Sequence, residues 1–460
     1  MHTNTPHTGG AGGGVRWAQP LRGAERGGSL ESAQNRSRGG SLKVSIIGAG
    51  STYTPELIEG IGEGRLGTPL DELVLMDLDP ARLEILGGLA KRMLDKAGWS
   101  GQLKLTTSRD EALDGPDACL VQYRIGGSAA RVKDESIPLP HGVLGQETVG
   151  PGGWAKALRT VPPTIEIAEA LAKSSPKAWL LDFANPVSMV SQALIGAGHR
   201  AVGLCNSAIG LQRNAAKHFG VAPERVEIES AGLNHGAWYR EIRVDGQPKL
   251  ANLITTESAK LAEMTGWSEA QLREERAIPS YYLRYYAEPE KVIVEQRAAG
   301  TRGLEVAKIE AQLLEMYKDP NLAEKPKLLE SRGGAFYSAA ALDLIAALTG
   351  AKPAKLVVNV RNDGAIPDLP DDQVIEVLSD VDAAGARPIP IAPLGGARRD
   401  LILKLGAFGK ATVAAALSGD RAAAIDALAL NPLVPSHDVA EVIGGELLAA
   451  HAANLPRFAR

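Results

Sequence analysis

Two side chains able to ligate a metal stand 30 residues apart in this sequence. Cys205 follows the apolar run Ala201-Val202-Gly203-Leu204, and His235 sits within Gly232-Leu233-Asn234-His235-Gly236. A thiolate and an imidazole can share a divalent ion, although two ligands leave most of the shell to substrate or water. A small buried hydrophobe is the other reading of such a cysteine, and polar surface the other reading of the histidine. Between Ile278 and Tyr286 lie four of the nine tyrosines, with Arg284 among them. On a helix Tyr282, Tyr285 and Tyr286 share one face. That cluster is either an aromatic core stripe or the source of a catalytic phenol. A phenol used as a base needs a cation or metal nearby to bring its pKa down from about 10.

A third group of residues suits a nucleotide. The run Gly48-Ala49-Gly50-Ser51-Thr52 directly follows the apolar strand Lys43–Ile47 and precedes a helix opening at Thr54-Pro55-Glu56. The first glycine makes a tight turn, and the second admits a pyrophosphate against the helix N-terminus. Thr54 is read as the N-cap, with Pro55 at the first helical position. Tyr53 replaces the third glycine of the usual fingerprint. Asp77 ends a second strand, where a carboxylate accepts a ribose 2′-hydroxyl and repels a 2′-phosphate, so NAD is preferred to NADP. The stretch Arg124–Arg159 is dense in glycine and polar residues, as expected of a long connection that is functional or mobile. Asn185-Pro186 ends another core strand, at the same sheet edge as Cys205.

Alternating strands and helices must position these groups. Strands are expected at 43–47, 72–77, 102–107, 117–123, 177–183 and 200–205, with a long helix at Pro80–Ala97. This alternation means right-handed βαβ units and a doubly wound, Rossmann-like parallel sheet. Later the pattern changes to antiparallel strands over 225–248, helices over 251–350, extended segments over 355–379 and helices from 398 to 453. The expected organisation is α/β: a dinucleotide-binding domain at 43–205, then an α+β catalytic and oligomerisation domain at 206–460. Residues 1–42 hold ten glycines and five arginines against two glutamates. With so little apolar surface they are expected to be a disordered extension.

Composition excludes several classes. The 460-residue chain is 44% hydrophobic and 23% charged, ordinary for a globular enzyme with an ample core. A net charge of −4 and 4% aromatic residues argue against nucleic acid as a partner. Cys119 and Cys205 are the only cysteines, so no disulfide scaffold is expected and a reducing, cytoplasmic setting is. No run of about 18 apolar residues occurs, so no membrane partner is expected either.

Several motifs in register resemble one family. They are Gly48 through Glu56, Lys133 through Leu139, Gly145 through Arg159, Asn185-Pro186, Cys205-Asn206, Gly232 through His235, Tyr282 through Tyr286, and Arg332-Gly333-Gly334-Ala335. Together they resemble glycoside hydrolase family 4, the NAD- and Mn²⁺-dependent glycosidases, and within it the 6-phospho-β-glucosidases. The resemblance implies a lactate/malate dehydrogenase-like fold, with Cys205 and His235 as metal ligands and Tyr282 as the catalytic base. It implies substrate contacts at Arg131, Asn185 and Arg302, and dinucleotide contacts at Gly48, Gly50, Ser51, Thr52 and Asp77. It also implies a phosphorylated glycoside as substrate and a homodimer or homotetramer.

The implied chemistry dispenses with the usual pair of carboxylates. Hydride passes from C3 to NAD⁺, the metal polarises the new ketone, Tyr282 removes the acidified C2 proton, and the C1 substituent leaves. Water then adds and the hydride returns, so the net change is hydrolysis. Two positions depart from the family pattern. Ala208 stands where its 6-phospho-β-glucosidases usually carry proline. Asn206 replaces the aspartate that α-glucosidase members use as general acid, which favours β-configured substrates. Alternatives are a family member acting on unphosphorylated or differently configured glycosides, an NAD-dependent hydroxyacid dehydrogenase, and a non-catalytic dinucleotide sensor.

Overall fold

The computed structural model describes residues 42–333 and 337–459. The extension 1–42 therefore lies outside the described residues, except for Leu42. Leu42 belongs to the fold: it is buried, and its N–H donates to Asp71 Oδ2 at 2.9 Å. Gly334 and Ala335 of the Arg332 motif also fall outside them.

Six short runs build the parallel centre. They are β1 (Lys43–Ile47), β2 (Glu72–Met76), β3 (Gln102–Thr106), β4 (Ala118–Val121), β5 (Trp179–Asp182) and β6 (Ala201–Gly203). Their order is β3-β2-β1-β4-β5-β6, and every pairing among them is parallel. β4 and β5 are buried at each position, because helices cover both faces; hence continuous apolar runs rather than alternation. The covering helices are α1 (Thr54–Gly62), α2 (Pro80–Lys96), α3 (Arg109–Ala112), α4 (Gly127–Ser136), α5 (Gly150–Ser174) and α6 (Val187–Gly196). Strand order reverses between β1 and β4, which opens a crevice at their carboxyl ends.

After β6, α7 (Asn206–Phe219) leads into a second, antiparallel sheet. This contains β7 (Val226–Leu233), β8 (Gly236–Val244), β9 (Gln247–Pro248) and β10 (Ile278–Pro279). The chain then returns to the first sheet. β11 (Ala354–Arg361), β12 (Val374–Asp382) and β13 (Gly385–Pro388) extend it beyond β6, with Asn359 opposite Gly203 in antiparallel pairing. The sheet thus has nine strands and runs across the boundary expected at residue 205. The reason is edge protection: β6 would otherwise expose a row of unpaired backbone groups.

The stretch 124–159 is not the open connection its glycines suggest. It forms α4, a buried irregular segment at 143–149, and the start of α5. A Cβ on Gly145 would stand 1.6 Å from the Glu135 carbonyl oxygen, so this glycine serves close packing rather than mobility. An ion cluster pins α4 to α5. Arg159 donates from Nη1 and Nη2 to the two Asp134 oxygens at 2.9 and 2.7 Å, and His451 Nε2 lies 2.8 Å from Asp134. All three residues are buried.

One helix, Gly396–Ser418, is long and apolar enough to cross a membrane by length and composition alone. Its charged residues interrupt it, so it holds no unbroken run of about 18 apolar residues. The helix packs along α5 and α6, and its first two-thirds carry Arg398, Arg399, Asp400, Lys404 and Lys410. It serves here as a packing helix.

Removing one partner of a buried ion pair leaves an uncompensated charge. Arg159→Met is expected to lower the unfolding free energy by about 3 kcal/mol, the lower end of the usual range because His451 remains beside Asp134. A urea titration checks this; an unchanged midpoint would show that the pair does not clamp α4.

Candidate active site

The carboxyl edge of the sheet and the β7–β8 turn build the centre of the site. Cys205 is the N-cap of α7, two residues beyond β6. Leu233 pairs with Gly236, so Asn234 and His235 alone make the turn. His235 has φ 63°, a left-handed backbone that costs a residue bearing a Cβ about 1–2 kcal/mol. Such strain persists only where surrounding structure holds it, commonly at functional sites. The turn aims the imidazole at Cys205, with Nε2 3.4 Å from Sγ. Tyr282 lies in a 3-10 turn, Tyr281–Leu283, rather than on the expected helical face. Its ring stacks on that of His235, with centroids 3.4 Å apart and planes 7° from parallel.

Burial sets the resting protonation of these three groups. It drives the His235 imidazole down to about 3, leaving the neutral form that can ligate a metal at pH 7. It pushes the Cys205 thiol up to about 11. It also raises the Tyr282 phenol well above its ordinary value, aided by Cys205 and Glu147 and opposed by Arg131. A divalent cation between Cys205 and His235 would lower both the thiol and the phenol. Bonds of roughly 2.3 Å to sulfur and 2.0 Å to nitrogen, at ordinary angles, separate two donors by roughly 3.0–3.5 Å. The observed 3.4 Å fits. Among the described residues no three His, Cys, Asp or Glu side chains gather into a metal site, and Cys205 and His235 stand as a pair.

Next to this centre is a knot of buried charge. Glu147 meets Lys156 Nζ at 2.9 Å, Arg124 Nη2 at 3.1 Å and Arg131 Nη1 at 3.3 Å. Burial alone would raise the Glu147 carboxyl, but the three cations hold it well below its usual range. Burial brings Lys156 down to about 7 despite Glu147. Arg131 also holds Glu135 at 2.8 Å, and Glu135 in turn accepts the Gly303 N–H at 2.6 Å. Arg124 Nη1 and Arg332 Nε are buried without a partner among the described residues. Burial and the nearby Arg124 charge bring Arg332 down to about 10.

Of the other residues chosen from sequence, Arg131 joins the site and Asn185 stands at the carboxyl end of β5, before a cis bond to Pro186. Arg302 takes no part in the charge knot. It opens the helix Arg302–Tyr317, pairs with Glu305, and donates to the Ser331 carbonyl at 2.7 Å. Its link to the site runs through the neighbouring Gly303 N–H on Glu135. Glu147, Lys156, Arg124 and Thr148 also gather here without a motif that marks them, and the signal in the sequence is their grouping within 124–159.

The glycine turn is tightly organised. Gly48 and Ala49 N–H groups both donate to the Met76 carbonyl at 2.9 Å. Thr54 is not the N-cap; Tyr53 is, and the Thr54 hydroxyl donates to the Ala49 carbonyl at 2.7 Å. The Gly50 N–H donates to Asp77 Oδ2 at 2.8 Å, and a Cβ there would stand 2.7 Å from that oxygen. In this structure, then, Gly50 serves the approach of Asp77. Asp77 Oδ1 accepts from the Asp79 N–H at 3.0 Å, so each oxygen keeps a lone pair for a ribose hydroxyl. Ser51 Oγ accepts from the Tyr53 N–H at 3.3 Å, and Thr52 Oγ1 is buried without a partner among the described residues. The turn fits a dinucleotide.

Comparison with known proteins agrees along the whole described chain. Residues 43–221 match the family 4 glycosyl hydrolase model, and residues 230–434 match the family 4 glycosyl hydrolase C-terminal domain. A probable 6-phospho-beta-glucosidase of Bacillus subtilis is 41% identical over 437 residues, covering 91% of this chain and 98% of that one. A 6-phospho-beta-glucosidase of Escherichia coli is 37% identical, covering 91% and 97%. The 6-phospho-beta glucosidase from Thermotoga maritima, solved with NAD and glucose-6-phosphate, superposes with a TM-score of 0.85 at 29% identity, covering 90% and 99%. A form with manganese, NAD⁺ and glucose-6-phosphate gives 0.83 at 28% identity, with the same coverage. With the strand order, the Cys205–His235–Tyr282 centre and these matches together, the chain belongs to family 4 of the glycosyl hydrolases.

Proposed function

We propose that this protein hydrolyses 6-phospho-β-glucosides, with NAD⁺ and a divalent metal, Mn²⁺, as retained cofactors. The observation that carries this reading is the stack of Tyr282 on His235 beside Cys205. Glycosidases of the common kind need two carboxyl groups roughly 5–9 Å apart and free to react. Here Glu147 and Glu135 are committed to cations and a backbone N–H, and Glu376, whose charge acts on Cys205, is bound by the Asn234 amide. A phenol beside a ligand pair suits proton abstraction next to a carbonyl instead.

When bound, NAD⁺ supplies a reversible hydride acceptor for C3, and the metal supplies a Lewis acid for the resulting ketone. Cys205 and His235 hold that ion. Tyr282 Oη takes the C2 proton, after which the aglycone leaves and water adds. Gly48, Gly50, Ser51, Thr52 and Asp77 hold the dinucleotide, and Arg131, Asn185 and Arg302 contact the sugar. The buried charge of Arg124, Arg131 and Lys156 against Glu147, with the unpartnered Arg124 Nη1, supports an anionic substituent such as a 6-phosphate. Asn206, the first residue of α7, cannot donate a proton as an acid, which supports β-configured substrates. Residues 43–205 carry the dinucleotide side and 206–460 the catalytic and oligomerising side of a cytoplasmic homodimer or homotetramer. Likeness to the 6-phospho-beta-glucosidases supports this assignment.

Nitrophenol release from p-nitrophenyl β-glucoside 6-phosphate, against its unphosphorylated analogue, tests the reading with NAD⁺, Mn²⁺ and reductant present. Only the phosphorylated substrate is expected to be cleaved, without NADH accumulating; cleavage of the plain glucoside alone would sink the phosphate assignment. Tyr282→Phe is expected to slow exchange of the substrate C2 proton with solvent by about 10²–10⁴-fold. Exchange at the parent rate would remove Tyr282 as the base. Cys205→Ala is expected to abolish metal-dependent turnover, and activity persisting in chelator would dismiss the ligand pair.

A further inference from the structure

The buried segment before α5 forms a relay of hydrogen bonds that ends on His235. Gln146 Oε1 accepts from the Thr148 N–H at 2.5 Å and from the Val149 N–H at 2.8 Å. Two backbone donors on one side-chain atom identify it as the amide oxygen, since the amide nitrogen would oppose them. That same oxygen lies 2.8 Å from Thr148 Oγ1. Because the oxygen only accepts, the threonine hydroxyl must spend its single hydrogen there. Thr148 Oγ1 also lies 2.8 Å from His235 Nδ1. With its hydrogen directed at Gln146, the hydroxyl can only accept from the ring, so Nδ1 must carry the imidazole proton. Gln146, Thr148 and His235 are all buried, which limits water as a substitute partner.

We infer that Gln146 and Thr148 are positioning residues that hold His235 in the Nδ1–H tautomer, leaving the Nε2 lone pair for the metal. Nε2 is the atom facing Cys205 Sγ, so the relay points the bare nitrogen into the ligand position. The opposite tautomer would set two lone pairs against each other, at Nδ1 or, with the hydroxyl turned to the ring, at Gln146 Oε1, in a place where an unmade hydrogen bond costs about 1–3 kcal/mol. Outer partners of this kind orient metal-ligating histidines in general and affect affinity by about 10–100-fold. The left-handed turn at His235 supplies direction, and the Gln146–Thr148 pair supplies ring state. The inference rests on the metal reading above only for its consequence; the tautomer itself follows from hydrogen bonds within the protein.

The test uses Thr148→Val, which keeps shape and loses the acceptor, and Thr148→Ser, which keeps the hydroxyl. In metal-free full-length protein with ¹⁵N-labelled histidine, His235, identified by comparison with His235→Gln, is expected to show protonated Nδ1 and bare Nε2. A protonated Nε2 in the parent protein would overturn the inference. Free Mn²⁺, read by its electron paramagnetic resonance signal, is expected to report an affinity about 10–100-fold weaker in Thr148→Val. Affinity near the parent value is expected in Thr148→Ser. Equal weakening in both variants, or none in Thr148→Val, would also overturn it. Titration of Cys205→Ala separates the two ideas: unchanged Mn²⁺ binding there defeats the metal reading, while the ring-nitrogen signals still decide the tautomer.

Discussion

The approach of His235 to Cys205 is the contact on which the rest of the site depends, because it joins two sheets that share no strand. Cys205 comes from the carboxyl end of the parallel sheet and His235 from a hairpin in the antiparallel one. Neither chain segment reaches the other without the turn at Asn234-His235 being held in a costly left-handed backbone. Part of that hold comes from a third place. Asn234 Nδ2 donates to Glu376 Oε1 at 2.8 Å, and Glu376 lies on β12. The late strands therefore do more than cover the edge of β6. They grip the turn that presents the histidine.

Around that contact, burial and charge work against each other. Removing water makes His235 neutral, as a ligand must be, yet it makes Cys205 and Tyr282 poor anions. A divalent cation at the Cys205–His235 contact would favour both anions, so burial sets the need that such an ion would meet. The charge knot at Glu147 follows the same logic. One carboxylate satisfies parts of three cations, leaving donors over for an anionic ligand, another oxygen acceptor or water. Arg131 lies on α4 and Lys156 on α5, and the Asp134–Arg159 pair keeps those helices in register.

The glycine turn carries a smaller lesson. Its pattern is read most simply as room for a pyrophosphate, but Gly50 is also required by the Asp77 carboxylate that closes on its N–H. Tyr53 takes the third glycine's place without opening the helix, since it caps α1 while the Thr54 hydroxyl ties back to Ala49. Local variation in a nucleotide turn is therefore compatible with the same backbone path.

The sequence by itself determined the parallel sheet, its helices, the glycine turn with Asp77, and the presence of a Cys–His–Tyr set. These are local properties: apolar runs, periodicity and turn residues depend on neighbours a few positions away. The motifs also carried the resemblance to family 4. Only the tertiary structure decided that β11–β13 complete the first sheet, that Tyr282 lies on His235, and that Arg302 stands outside the charge knot. It alone decided that a glycine-rich stretch is packed helix, with Thr148 on the histidine and Glu147 among three cations. The physical reason is that a buried polar group is defined by its partners, and those partners are distant in the chain. Thr148 and His235 are 87 residues apart, and Asn234 and Glu376 are 142 apart. No local pattern announces such pairs, because the cost of burying each member is met only when the other arrives.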